Sequence, residues 1–169
     1  MKTINKTSVR RSGIAFVLAT VIALIFAASP GQAITWAQFN ASFITQFTTV
    51  LEFPILHVTV NGKGQATYMG SVKAFTDDQI SNLIDGSGTA TYTLRASNGE
   101  TLILALVVQP GGTTNVNGGV IFSGTYTVIG GTGRFSGTTG SGVFAGSALF
   151  LTETDGVGSF SLIGLPVPL

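Results

Sequence analysis

The chain has 169 residues, of which 44% are hydrophobic and only 9% are charged, with 23 glycines and no cysteine. The lack of cysteine excludes a disulfide framework and thiolate-held metals, so stability must come from packing and backbone hydrogen bonds. The formal net charge of +1 is misleading, because four of the eight basic residues (Lys2, Lys6, Arg10 and Arg11) crowd the N-terminus.

Those four residues form a basic n-region. Residues 14–28 are apolar except for Thr20, and Ser29-Pro30-Gly31-Gln32-Ala33 places small residues before a cut after Ala33. This is the layout of a secretory signal peptide. The apolar run is about 15 residues, short of the roughly 18–20 that span a bilayer. Arg10-Arg11 raises the twin-arginine route, which Gly13 and Ile14 fit poorly. The expected organisation is therefore a signal peptide over 1–33 and one domain over 34–169, secreted or periplasmic, with no stable membrane anchor after cleavage. That domain carries Lys63, Lys73, Arg95 and Arg134 against seven acids, a net charge of −3. No basic patch for nucleic acid is expected, since that requires clustered Lys and Arg.

Beyond residue 33 the sequence contains 21 glycines and 20 threonines, a composition suited to strands and turns. A helical turn near 35–39 comes first. Strands are predicted over 43–51 and 55–60, separated by Pro54. Residues 64–74 read as one strand, with Ala66, Tyr68, Gly70, Val72 and Ala74 on the apolar phase and Met69 as the misfit. One short helix follows over 76–84: Thr76 and Gln79 match a capping box, Asp77 and Asp78 occupy the first turn, and Ile80, Leu83 and Ile84 share a face. Asp85-Gly86 ends it.

Residues 88–96 alternate cleanly, Ala90, Tyr92, Leu94 and Ala96 against Thr89, Thr91, Thr93 and Arg95. Residues 102–108 are apolar on both phases and should be covered on both sides. Residues 120–128 alternate again, with Phe122 and Tyr126 on the apolar phase, and strands over 141–151 and 157–163 close the chain. Asn61-Gly62, Asn98-Gly99, Gly111-Gly112, Asn117-Gly118 and Asp155-Gly156 supply turn signals, because Gly, Asn and Asp tolerate φ > 0. The count is about eight strands joined by short turns. Such a meander closes into a barrel or folds into a sandwich, and closure removes exposed edges.

The run Gly130-Gly131-Thr132-Gly133-Arg134-Phe135-Ser136-Gly137 invites a phosphate-loop reading. Spacing argues against it: Ser136 stands where a dinucleotide fingerprint has its third glycine, no Gly-Lys-Ser/Thr is present, and the run leads into a strand rather than a helix. It reads as a shaped turn, with Arg134 placed to tie it down by bonding carbonyls or an acid, or to face a ligand.

Gly62-Lys63-Gly64-Gln65-Ala66-Thr67-Tyr68-Met69-Gly70, Asn98-Gly99-Glu100-Thr101-Leu102, and the stretch from Thr125 through Gly137 together resemble segments of small secreted bacterial proteins. The last also resembles the Gly-Gly-Thr-Gly-basic-Phe region of plant dirigent proteins, which share the allene oxide cyclase-type barrel. The resemblance covers about 43–164. It implies an all-β fold, an antiparallel eight-stranded calycin-like β-barrel, to which the residue pattern adds one short helix. One known branch cyclises a fatty-acid epoxide; the other steers coupling of phenoxy radicals without being an oxidase. No catalytic residue of either branch matches a position here. Dirigent-type barrels are often oligomers, and a homo-oligomer would cover the outer face of 102–108, as a second packed sheet would.

His57 is the only histidine, and Gly-x-Ser-x-Gly is absent, so neither a serine triad nor a multi-ligand metal site is expected; no cofactor is implied. Glu52 and Glu100 are the two acids that could sit at a barrel mouth. The aromatic side chains Tyr68, Tyr92, Tyr126, Phe122, Phe144 and Phe160 all read as inward-facing. They either fill the barrel or line an apolar pocket with tyrosine hydroxyls as polar handles. The functional expectation is a non-catalytic binder of a small apolar or aromatic molecule. The alternatives are an isomerase or cyclase acting on an apolar substrate in the barrel, and a structural or surface module with a filled barrel.

Overall fold

From Phe39 onward the backbone turns alternation into strands. In a computed structural model, residues 38–164 are described; the expected signal segment, most of the expected 35–39 turn and the last five residues lie outside them. Nine strands follow in order: β1 (Phe39–Glu52), β2 (Ile55–Ala66), β3 (Gly70–Asn82), β4 (Gly88–Ala96), β5 (Thr101–Val108), β6 (Thr113–Val116), β7 (Gly119–Gly131), β8 (Gly140–Phe150) and β9 (Asp155–Gly164). All neighbours pair antiparallel, β1 bridges β2 and β9, and β5 pairs with β7 to close an eight-stranded barrel. The short β6 prolongs the β5 edge along the start of β7, ending in the Asn117-Gly118 hairpin.

Inward side chains follow the predicted phases. On β1 they are Phe39, Ala41, Phe43, Thr45, Phe47 and Thr49, buried alternately with exposed neighbours. The half of the barrel around the glycine-rich loop is filled: Leu94, Leu104 and Leu162 are fully buried and Leu102 nearly so. Each such burial contributes roughly 1.5–3 kcal/mol.

The predicted helix over 76–84 does not form. Residues 76–82 continue β3, with a bulge between Phe75 and Gln79. Ladder bonding to both β2 and β4 outweighs a local capping box. The bulge shifts the phase by one residue; Ile80, Leu83 and Ile84, whose spacing suggests a helical face, are all exposed, and Leu83 and Ile84 lie in the turn beyond β3. The single strand read over 64–74 is a hairpin instead. β2 ends at Ala66, Tyr68 takes φ 66°, and Met69 N–H donates to the Ala66 carbonyl at 3.1 Å. Only one 3-10 turn, Gly133–Phe135, interrupts the described β structure.

Phe135 in that turn is 2% exposed and plugs one end of the barrel. Glu100, from the β4–β5 hairpin, holds the loop. Its carboxylate pairs with Arg134 Nε at 2.9 Å and accepts from the Arg134 backbone N–H at 3.2 Å and from Asn98 Nδ2 at 2.9 Å. Gly133 has φ 64°, and a Cβ there would stand 2.6 Å from the Glu100 Cγ. The Asn98 hydrogen bond, and then the loop amide and Arg134, hold the Glu100 carboxyl below the usual glutamate range. A depressed carboxylate stabilises the fold above its unfolded pKa and loses that contribution as pH falls through the folded one. Thermal melts of the wild type and Glu100→Gln should therefore differ most at neutral pH and converge under acid; a gap that persists at pH 3 would contradict the assignment.

Candidate functional site

The opposite half of the barrel is not filled. A cavity of about 200 Å³ lies there, walled by Phe47 from β1, Leu56 and Val58 from β2, Gln79 from β3, Tyr92 from β4, Leu106 and Val108 from β5, Phe122 from β7, Phe144, Ala148 and Phe150 from β8, and Phe160 from β9. The rings order one another: Phe160 stacks on Phe43 at 4.8 Å between centroids and meets Tyr92 edge-on at 5.2 Å, while Phe47 meets Phe150 edge-on at 5.2 Å.

The sequence lets so many rings face inward by placing glycines opposite them. Gly124 pairs with Phe144, and Gly146 with both Phe122 and Phe160. A Cβ on Gly124 would lie 2.9 Å from the Phe144 ring, and one on Gly146 would lie 2.6 Å from Phe122. These glycines make room for rings; the rest of the space is the cavity.

Polar groups inside are few. Tyr92 donates its hydroxyl to Gln79 Oε1 at 3.0 Å. Burial raises the Tyr92 phenol well above its ordinary range, so it remains a neutral donor. Gln79 Nε2 has only a 3.5 Å contact, to Ser81, and keeps donor capacity for a guest. Thr45 and Thr49 are buried, and the Thr49 hydroxyl donates to the Thr154 carbonyl at 3.1 Å. Among the described residues, no Asp, Glu, His, Lys or Arg lines the cavity.

Of the six aromatic candidates, the cavity brings together Tyr92, Phe122, Phe144 and Phe160. Tyr126 lies in the filled half. It packs edge-on with Phe39 at 6.4 Å, its ring lies against Gly142 and Gly164, and burial pushes its phenol up to about 12. Tyr68 sits in the β2–β3 turn at that same end. Glu52 is exposed at the end of β1, and Glu100 serves the glycine-rich loop; neither reaches the cavity. His57 faces outward, with Nδ1 2.9 Å from Asp78 and Nε2 3.9 Å from Glu52. Gln79 was hidden from sequence reading by the false helix, and Phe47 and Phe150 by strands whose alternation is less clean. No group of three or more metal-ligating side chains occurs among the described residues.

No protein-family model matches the chain, and no curated protein is similar to it in sequence. Among solved structures, the chain is similar to a pterocarpan synthase dirigent protein, with 13% identity and a TM-score of 0.46 over 76% of this chain and 86% of that one.

Proposed function

We propose that the protein binds a small apolar or aromatic molecule in the open half of its barrel, without converting it. The cavity carries this reading: about 200 Å³ walled mostly by rings and aliphatic chains, with neutral polar groups such as the Tyr92–Gln79 pair, Thr45 and Asn115. An apolar cavity of about 150 Å³ is enough for a benzene ring, so the space suits a molecule of one ring or two fused rings. A long acyl chain would project out of the mouth. General acid-base chemistry needs a positioned, titratable group, and the candidate acids Glu52 and Glu100 face elsewhere. We also infer export, because residues 2–33 have the order of a signal peptide.

Native mass spectrometry of the protein recovered from its producing cells, followed by titration with 2-naphthol and naphthalene, tests the binding. One-to-one binding of both is expected. Ala148→Trp, which fills the cavity, should weaken both at least 100-fold with circular dichroism unchanged. Tyr92→Phe should cost 2-naphthol about 3–10-fold, the worth of one hydrogen bond, and leave naphthalene unchanged. Failure of both probes to bind, or binding that Ala148→Trp does not disturb, would remove the cavity from consideration.

A further inference from the structure

Three of the four cations beyond residue 33 stand side by side on the outer wall. Lys63 on β2 pairs in register with Lys73 on β3, and Lys73 pairs with Arg95 on β4. All three are exposed. Strands lie about 4.7–4.9 Å apart, so the three charges form a ridge roughly 10 Å long, running across the strands. Scattered in sequence, they show no cluster; the register assembles one. Like charges directly opposite each other weaken a strand pair, and no ion pair among the described residues offsets them. The ion pairs among the described residues use only His57 with Glu52 and Asp78, and Arg134 with Glu100. Most described acids stand at the far, open end, on or near the turns that surround the cavity mouth. A domain with an acidic surplus thus keeps three cations together and apart from most of its acids; Glu100, next to Arg95's strand partner Thr101, is engaged by Arg134.

We propose that this ridge binds a linear, carboxylate-bearing polysaccharide. Charge complementarity selects a polyanion, and an evenly spaced row selects a linear one laid across β2, β3 and β4. The flanking outward side chains suit sugars: the amides of Gln65 and Asn61 offer hydrogen bonds to hydroxyls, and the half-buried Phe75 ring offers one flat face to a C–H surface. Single-stranded nucleic acid is held by several stacking rings in succession, and this face presents one. The ridge lies beyond the cavity lining on all three strands, so a bound polymer leaves the mouth open.

The experiment measures binding of the mature protein to polygalacturonate, to its fully methyl-esterified counterpart and to oligo-dT, between 20 and 200 mM NaCl. Polygalacturonate should bind at least tenfold more tightly than the uncharged ester. Its log–log salt slope should be about −2 to −3, as expected for release of counterions by three cations. Lys73→Gln should lower that slope by about one while leaving the fold and naphthol binding intact. Arg95→Gln should do the same and carries the test if Lys73→Gln misfolds. Absence of binding at 20 mM salt, a slope unchanged in both variants, or tighter binding of oligo-dT would overturn the proposal. So would salt-sensitive self-association abolished by Lys73→Gln, which would make the occupant the acidic rim of a second copy.

Discussion

Phe135→Ala is expected to destabilise the barrel by about 3–5 kcal/mol, as truncating a buried aromatic generally does. For a domain of this size that corresponds to a fall in Tm of roughly 10–20 °C. The cost is placed at the upper end because the surroundings cannot collapse onto the gap. Phe135 sits on a 3-10 turn pinned at two points by the β4–β5 hairpin: Thr132 N–H donates to the Thr101 carbonyl at 2.9 Å, and the Glu100 carboxylate holds Arg134. The Arg134 guanidinium also lies 5.2 Å from the Phe135 ring centre. Arg134→Gln removes that contact and the ion pair but leaves the plug, and as a half-exposed charge it should cost under about 1 kcal/mol. Urea melts of the two variants check the ranking. If the arginine variant is the weaker, the ion pair rather than the ring closes this end.

The second large effect comes from adding one methyl group. Gly142→Ala puts a Cβ 2.5 Å from the Gly164 Cα and 2.7 Å from the Tyr126 ring. One neighbour is backbone and the other a ring packed against Phe39, so neither yields easily, and overpacking of this kind costs about 1–3 kcal/mol or more. Gly130→Ala is the matched control, because the nearest neighbour of its Cβ would be the Ile103 Cδ1 at 3.9 Å. It should fall within about 0.5 kcal/mol of the parent. Equal losses in the two variants would mean that backbone freedom, not ring clearance, explains these glycines.

Glycine is also where sequence reading succeeded and failed. Asn98-Gly99 and Asn117-Gly118 are hairpin turns, with φ of 91° and 77° at their glycines. Asn61-Gly62 and Asp155-Gly156 carry the same signal yet lie within β2 and at the start of β9. Gly62 faces Thr45, and Gly156 gives way to the Phe47 ring, whose Cε1 would be 2.7 Å from a Cβ there. The side chain that demands such a glycine comes from another strand, so no local window can tell a turn from a clearance. The cavity was half legible for a related reason. Alternation identified the inward rings of β4, β7 and β9 and Phe144 of β8, but missed Phe47 and Phe150 and put Tyr68 on a strand rather than in a turn; nor does it give the level at which each ring sits, and level decides whether a ring lines the space or fills the closed end. Gln79 was lost because Thr76 and Gln79 spell a local capping box, and only pairing with β2 and β4 shows a bulged strand there. The basic ridge was invisible because only strand register brings residues 63, 73 and 95 together.

The position of β1 between β2 and β9 bears on how the chain can fold. Hairpins from β1 to β5 can form as soon as they are made, since each strand pairs with the next. The other edge of β1 has to wait, because Phe39 pairs with Gly164 and Thr48 with Asp155. Pairings this distant in sequence make a domain fold in milliseconds to seconds rather than microseconds. Throughout synthesis the first strand therefore presents an open, adhesive edge, and a chain that stops before residue 155 keeps that edge for good.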